Sequence, residues 1–180
     1  MRSFVALTLP AGVAALSESL ARRVDFGRPT KAENLPITLA FLDDQSDAAL
    51  CAIGEELSTI RLPAPLVKVR EVGVFGGEKP RILYADIHPE PRLIALRDAV
   101  RRVVRAAGID LPHELYHPHI TLARMKPTDT DAPARLARFL ERYGLSATQP
   151  EPAIAFGVFG SHLHPDGVRY EPLALYHFAA

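Results

Sequence analysis

The chain has 180 residues, with 21 Lys and Arg balanced by 21 Asp and Glu, so it lacks the basic excess that binding of long nucleic-acid duplexes normally demands. Hydrophobic residues at 48% and charged ones at 23% describe an ordinary globular protein whose length fits one domain or two small lobes. Cys51 is the lone cysteine, which excludes an internal disulfide and a thiolate metal cluster.

No apolar run approaches the roughly 18 residues needed to span a membrane, and the stretch after Arg2 is too short for a signal sequence. A cytoplasmic place without membrane contact is therefore expected.

In chain order, Ser3 to Leu9 reads as a strand closed by Pro10. Val13, Leu16, Leu20 and Val24 recur at helical spacing, with Arg22 and Arg23 complementing the helix dipole. A loop through Gly27 and Pro29 leads to a strand from Leu35 to Leu42, with Pro36 tolerable near its start. Asp43, Asp44 or Ser46 can cap a helix to about Ile60, whose stripe is Leu50, Ile53, Leu57 and Ile60; Cys51 is expected to pack beside it.

Leu66 to Phe75 and Arg81 to Ile87 read as strands around a Gly76-Gly77 turn. Pro89 and Pro91 introduce a helix from Arg92 to Ala107 that stops at Gly108. Leu93, Leu96, Val100, Val103 and Val104 face inward, leaving Arg97, Arg101, Arg102 and Arg105 as its solvated side. A strand from Pro118 to Arg124, a helix from Ala134 to Tyr143 and a strand from Ala153 to Phe159 follow. Gly160 to Gly167 reads as a loop, and Tyr170 to Phe178 as the last strand.

The chain repeats itself. Ile37-Thr38-Leu39-Ala40 returns as Ile120-Thr121-Leu122-Ala123, 83 residues on, and Gly73-Val74-Phe75-Gly76 returns as Gly157-Val158-Phe159-Gly160, 84 on. Two matches in order and nearly in phase predict a duplicated α+β unit, with motif repeats near 35–76 and 118–160. The expected fold is bilobal: two antiparallel sheets with flanking helices around a central cleft, related by a pseudo-two-fold axis.

In a strand, residues two apart share a face, so His119 and Thr121 point away from Ile120 and Leu122. An imidazole can take or give a proton near neutral pH, and a hydroxyl beside it can hold an anionic oxygen. Such pairs across a cleft suit phosphoryl chemistry, one imidazole deprotonating the nucleophile and the other protonating the leaving oxygen. In the first copy Thr38 is kept, but Pro36 stands where His119 has its counterpart. His117-Pro118-His119 has no carboxylate or cysteine at ligand spacing beside it, so no metal and no cofactor is expected. For Thr38 and Thr121 plain β propensity, and for Arg124 a strand-end surface position, remain open.

Glu33-Asn34-Leu35-Pro36-Ile37-Thr38-Leu39-Ala40-Phe41-Leu42, Pro80-Arg81-Ile82-Leu83-Tyr84 and Pro118-His119-Ile120-Thr121-Leu122-Ala123-Arg124 together resemble the 2H phosphoesterase superfamily. The resemblance points to its bacterial RNA 2′,3′-cyclic phosphodiesterases, also called 2′-5′ RNA ligases. It extends to Arg2-Ser3-Phe4-Val5-Ala6 and to the Phe159-Gly160-Ser161-His162 tail with Arg169-Tyr170-Glu171.

The resemblance implies metal-independent hydrolysis of cyclic phosphate to a 2′-phosphate end, with 2′-5′ ligation as a possible accompanying activity. His119 would be a catalytic histidine, Thr38 and Thr121 with Arg124 would bind phosphate, and Phe41 would stack a base or belong to the core. Pro36 occupies the place of the first catalytic histidine, which implies weakened turnover, since one acid–base group contributes roughly 10²–10⁴-fold. The alternative is a non-catalytic module of the same fold that binds nucleotides or RNA ends. Partners would be RNA ends or small cyclic nucleotides, and the chain is expected to be a monomer.

Overall fold

The computed structural model describes residues 1–178. The chain runs β1 (Arg2–Leu7), α1 (Ala11–Arg23), β2 (Arg28–Pro29), a 3-10 turn (Ala32–Asn34), β3 (Ile37–Asp44), α2 (Asp47–Leu57), β4 (Leu66–Val67) and β5 (Val69–Phe75). It continues through β6 (Ile82–Ile87), α3 (Pro91–Ala106), β7 (His119–Arg124), α4 (Ala132–Tyr143), β8 (Glu151–Pro152), β9 (Ala155–His164) and β10 (Gly167–His177). Two four-stranded sheets result, β10-β9-β1-β3 and β2-β7-β6-β5, with β4 and β8 forming a small ribbon. Every strand pair among the described residues is antiparallel.

The two halves are interlocked rather than side by side. β5, last strand of the first half, pairs with β6 of the second, and β9 crosses back to pair with β1. The helices cross as well: α1 follows β1 of the first sheet but packs on β7 of the second, while α3 follows β6 and packs on β3. One continuous apolar core joins both sheets and all four helices, running from Val5 and Leu7 through Leu93, Leu96 and Ile120 to Phe156. Where the sheets meet, β3 and β7 touch each other. No helix among the described residues is long and apolar enough to cross a membrane.

Local chemistry sets the element ends. The Ser46 hydroxyl accepts from the Ala49 amide at 3.2 Å to cap α2. The Glu90 carboxylate accepts from the amides of Arg92 and Leu93 at the start of α3, whose first residue is Pro91. Gly108, at φ +83°, takes the left-handed position that ends α3.

Four expectations are corrected. The stretch 160–167 is not a loop: β9 runs on to His164 and β10 begins at Gly167, so the hairpin turns within two residues. Polar Ser161, His162 and His164 mask this long ladder, and the turn at Pro165-Asp166-Gly167 carries the signal. There Lys31 and Arg169 grip the Asp166 carboxylate at 2.9 and 3.0 Å and hold its pKa well below the usual range. Arg28 and Pro29, expected in a loop, form a two-residue strand against Arg124 and Ala123.

Cys51 is exposed, because it lies one residue, or about 100°, around α2 from Leu50. Arg97 and Arg101 are buried rather than solvated. The segment before β7 folds over α3: the Arg101 guanidinium donates to the Pro112 carbonyl at 2.6 Å, and that of Arg97 lies 4.3 Å over the Tyr116 ring. Arg102 and Arg105 remain in solvent.

The segment that delivers Pro36 is fixed by Asn34. Its buried amide donates to the Val168 carbonyl at 2.6 Å and accepts from the Tyr170 amide at 2.9 Å, completing the free edge of β10 as a strand partner would. Asn34→Ala leaves that donor and acceptor unmet. We expect a loss of about 1–3 kcal/mol in urea unfolding; an unchanged midpoint and slope would show that the clamp carries no stability.

Candidate active site

The two motif strands share one irregularity. In β3, Thr38 pairs with Ala6 and Ala40 with Val5, so Leu39 is an extra residue. In β7, Thr121 pairs with Tyr84 and Ala123 with Leu83, so Leu122 is the extra one. Each is a β-bulge, which moves the side chains that follow it to the other face, in β3 until a second bulge at Leu42 shifts the register again.

Cross-strand partners share a face. His119, Thr121 and Arg124 pair with Asp86, Tyr84 and Ile82, which alternate along β6, so all three point the same way. Without the bulge, Arg124 would share the face of Ile120 and Leu122. Those two are fully buried, whereas His119 and Thr121 are half-buried and Arg124 is exposed.

The bulge in β3 works likewise. Thr38 and Phe41 pair with Ala6 and Phe4 and stand on one face of the first sheet. Phe41 is 63% exposed and its ring lies 6.4 Å from that of Phe4, which excludes a core position. Phe159 stacks on Phe4 at 5.6 Å, and Tyr170 meets its edge at 4.7 Å. The Thr38 carbonyl accepts from the Tyr116 hydroxyl at 3.2 Å, tying β3 to the segment entering β7. Pro36 precedes β3 and lines a cavity of about 230 Å³ with Thr8, Glu18, Glu33, Phe159 and Tyr170.

His119 is held in one tautomer. Its Nδ1 lies 2.7 Å from the His117 carbonyl, an acceptor only, so Nδ1 carries the proton and Nε2 keeps its lone pair. Burial draws its pKa below the usual imidazole value. The bond to His117 works against that shift, and the His117 and Arg124 charges add to it.

The ring packs edge-on against Phe75 at 5.0 Å and Tyr84 at 5.7 Å, which stack on each other at 4.0 Å. Gly73 is required beneath that stack: a Cβ there would lie 2.5 Å from the Tyr84 hydroxyl oxygen. Burial, reinforced by Asp86 and Glu71, raises the pKa of Tyr84.

Behind the histidine stands a chain of charges. Asp86, 3% exposed, accepts from His117 Nε2 at 2.9 Å through one oxygen and from Arg70 at 2.6 and 2.9 Å through the other. Asp86, Arg70, Tyr84 and Phe75 escaped the sequence reading. One signal was available, a lone carboxylate between Ala85 and Ile87 in an otherwise apolar strand. Among the described residues, no group of three or more His, Cys, Asp and Glu side chains is arranged to hold a metal ion.

The family model described as "2'-5' RNA ligase superfamily" matches residues 8–156. An RNA 2',3'-cyclic phosphodiesterase of Aeropyrum pernix is 31% identical over 116 residues, spanning 63% of this chain and 66% of that protein. One of Archaeoglobus fulgidus is 24% identical over 180 residues, 98% of this chain and 99% of that one. The crystal structure of E. coli LigT complexed with NADP+ superposes with a TM-score of 0.73 at 25% identity, covering 99% and 98% of the two chains. With a family model matching it over most of its length, the chain belongs to the 2'-5' RNA ligase superfamily, the 2H phosphoesterases.

Proposed function

We propose that the chain hydrolyses RNA 2′,3′-cyclic phosphates, leaving a 2′-phosphate end. The observation that carries this reading is His119 itself: a neutral imidazole with its Nδ1 proton committed to a carbonyl and its Nε2 free, on one face with Thr121 and Arg124. Nε2 takes the proton of the attacking water. Thr121 and Arg124, with Thr38 from the other sheet, hold the nonbridging oxygens and the charge that grows on them in the transition state. The exposed Phe41 ring offers a base a face to stack on.

The names of the Aeropyrum and Archaeoglobus relatives support this substrate class, and the NADP+ complex of LigT supports a nucleotide ligand. The same reading takes the protein as a cytoplasmic monomer acting on RNA ends or small cyclic nucleotides, with 2′-5′ joining as a reverse-type activity of the same groups.

A second reading, a module that binds such nucleotides without turnover, draws on Pro36, whose ring can neither give nor take a proton. A nucleoside 2′,3′-cyclic phosphate separates the two. Release of the 2′-monophosphate followed by chromatography supports hydrolysis, whereas calorimetric binding without product supports the module.

Two outcomes are expected. His119→Ala lowers kcat/KM at least about tenfold, the minimum for loss of an acid–base group, while thermal melting is retained because the ring faces the cleft. Unchanged turnover in the folded variant would end the role given to His119. Because burial favours its neutral form, the acid-side rise of kcat/KM lies below the pH of about 6.5 typical of free imidazole. A rise centred at or above that value would contradict the environment described.

A further inference from the structure

His117 is a titratable side chain beside His119 that the scheme above leaves unused. Its backbone carbonyl fixes His119, a task any residue could perform. Its side chain is built for more. The ring is 44% exposed, its centroid lies 6.5 Å from that of His119, and it meets the Phe75–Tyr84 stack edge-on at 5.2 and 5.3 Å, just as His119 does. Nε2 donates to buried Asp86, whose other oxygen is taken by Arg70. The ring is thus oriented and Nδ1 is left for a ligand, the arrangement in which a carboxylate steers an acid–base imidazole.

We propose that His117 is the second acid–base residue of this cleft, supplied by the chain that carries His119 instead of by the lobe that carries Pro36. The proposal rests on the cyclic phosphodiesterase reading. With centroids 6.5 Å apart on one face of the cleft, the two rings flank a single site, which the proposal gives to the phosphoryl group. His119 Nε2 removes a proton from water as the water oxygen bonds to phosphorus. The bond from phosphorus to O3′ breaks, its electron pair stays on O3′, and O3′ takes the proton from His117 Nδ1. A 2′-phosphate and a 3′-hydroxyl leave, and the two rings exchange protons with solvent before the next turnover. The charged and titratable groups facing His117 are Asp86 and Tyr84 from β6, Arg70 from β5, and His119 with Arg124 beyond it from β7.

His117→Gln tests this, because an amide can still donate to Asp86 but cannot deliver a proton. With a nucleoside 2′,3′-cyclic phosphate, kcat should fall about 10²-fold or more, with KM and the melting temperature close to wild type. The alkaline-side fall of kcat/KM, which reports the acid, should disappear while the acid-side rise belonging to His119 stays. Pro36→His is the second arm and leaves His117 untouched: with an acid already present, it should add less than about tenfold.

A folded His117→Gln enzyme within about threefold of wild type, or a gain near 10²-fold from Pro36→His, would overturn the assignment and leave the proposed hydrolysis standing. A wild-type protein that binds the cyclic phosphate without releasing product would instead overturn the hydrolytic reading, and this assignment with it.

Discussion

A shared bulge in the two motif strands sets the character of the cleft. Leu122 and Leu39 are bulged out of register at equivalent places, and the residues that follow, as far as Arg124 in one strand and Phe41 in the other, change face. Before the bulge, alternation sends Ile120 and Ile37 into the core. After it, Arg124 and Phe41 emerge beside the threonines instead of being driven inward. Burying an unpaired guanidinium costs far more than displacing one ladder hydrogen bond, so the bulge resolves the strand pattern and places the side chain in one step.

The interlocked topology gives the bulges a common place to act. Because β5 and β9 are exchanged between the halves and α1 and α3 back the opposite sheets, neither lobe completes its core alone. The motif strands are held together from behind by this exchange and from the side by Tyr116, whose hydroxyl meets the Thr38 carbonyl while Arg97 covers its ring. A buried cation and a half-buried phenol meet there at the seam between the two sheets, which explains why α3 carries arginines on a covered face.

Symmetry in the backbone carries asymmetry in the chemistry. Equivalent pairing positions hold Arg124 and Phe41, Tyr84 and Ala6, Ile82 and Phe4. The second sheet therefore presents histidines, a carboxylate and arginines, whereas the first presents the aromatic group Phe4, Phe41, Phe159 and Tyr170. The site face of one lobe is charged and titratable, and that of the other is aromatic. Pro36 belongs to the second kind of surface, lining the cavity beside Phe159 and Tyr170.

The sequence by itself determined what depends on local pattern and repetition. The duplicated Ile-Thr-Leu-Ala and Gly-Val-Phe-Gly segments foretold a two-part α+β fold, helical spacing located α1 to α4, and period-two alternation put Ile120 and Leu122 inside with His119 and Thr121 outside. Tertiary structure decided everything that depends on a partner distant in the chain. Register with β6 created the bulge that turns Arg124 outward, a returning loop buried Arg97 and Arg101, and cross-strand pairing brought Asp86 beside His117. Periodicity reports which side of an element meets the core, but only a contact between remote residues can reveal that a charge has found its counterpart, because the free energy of burying it belongs to the pair.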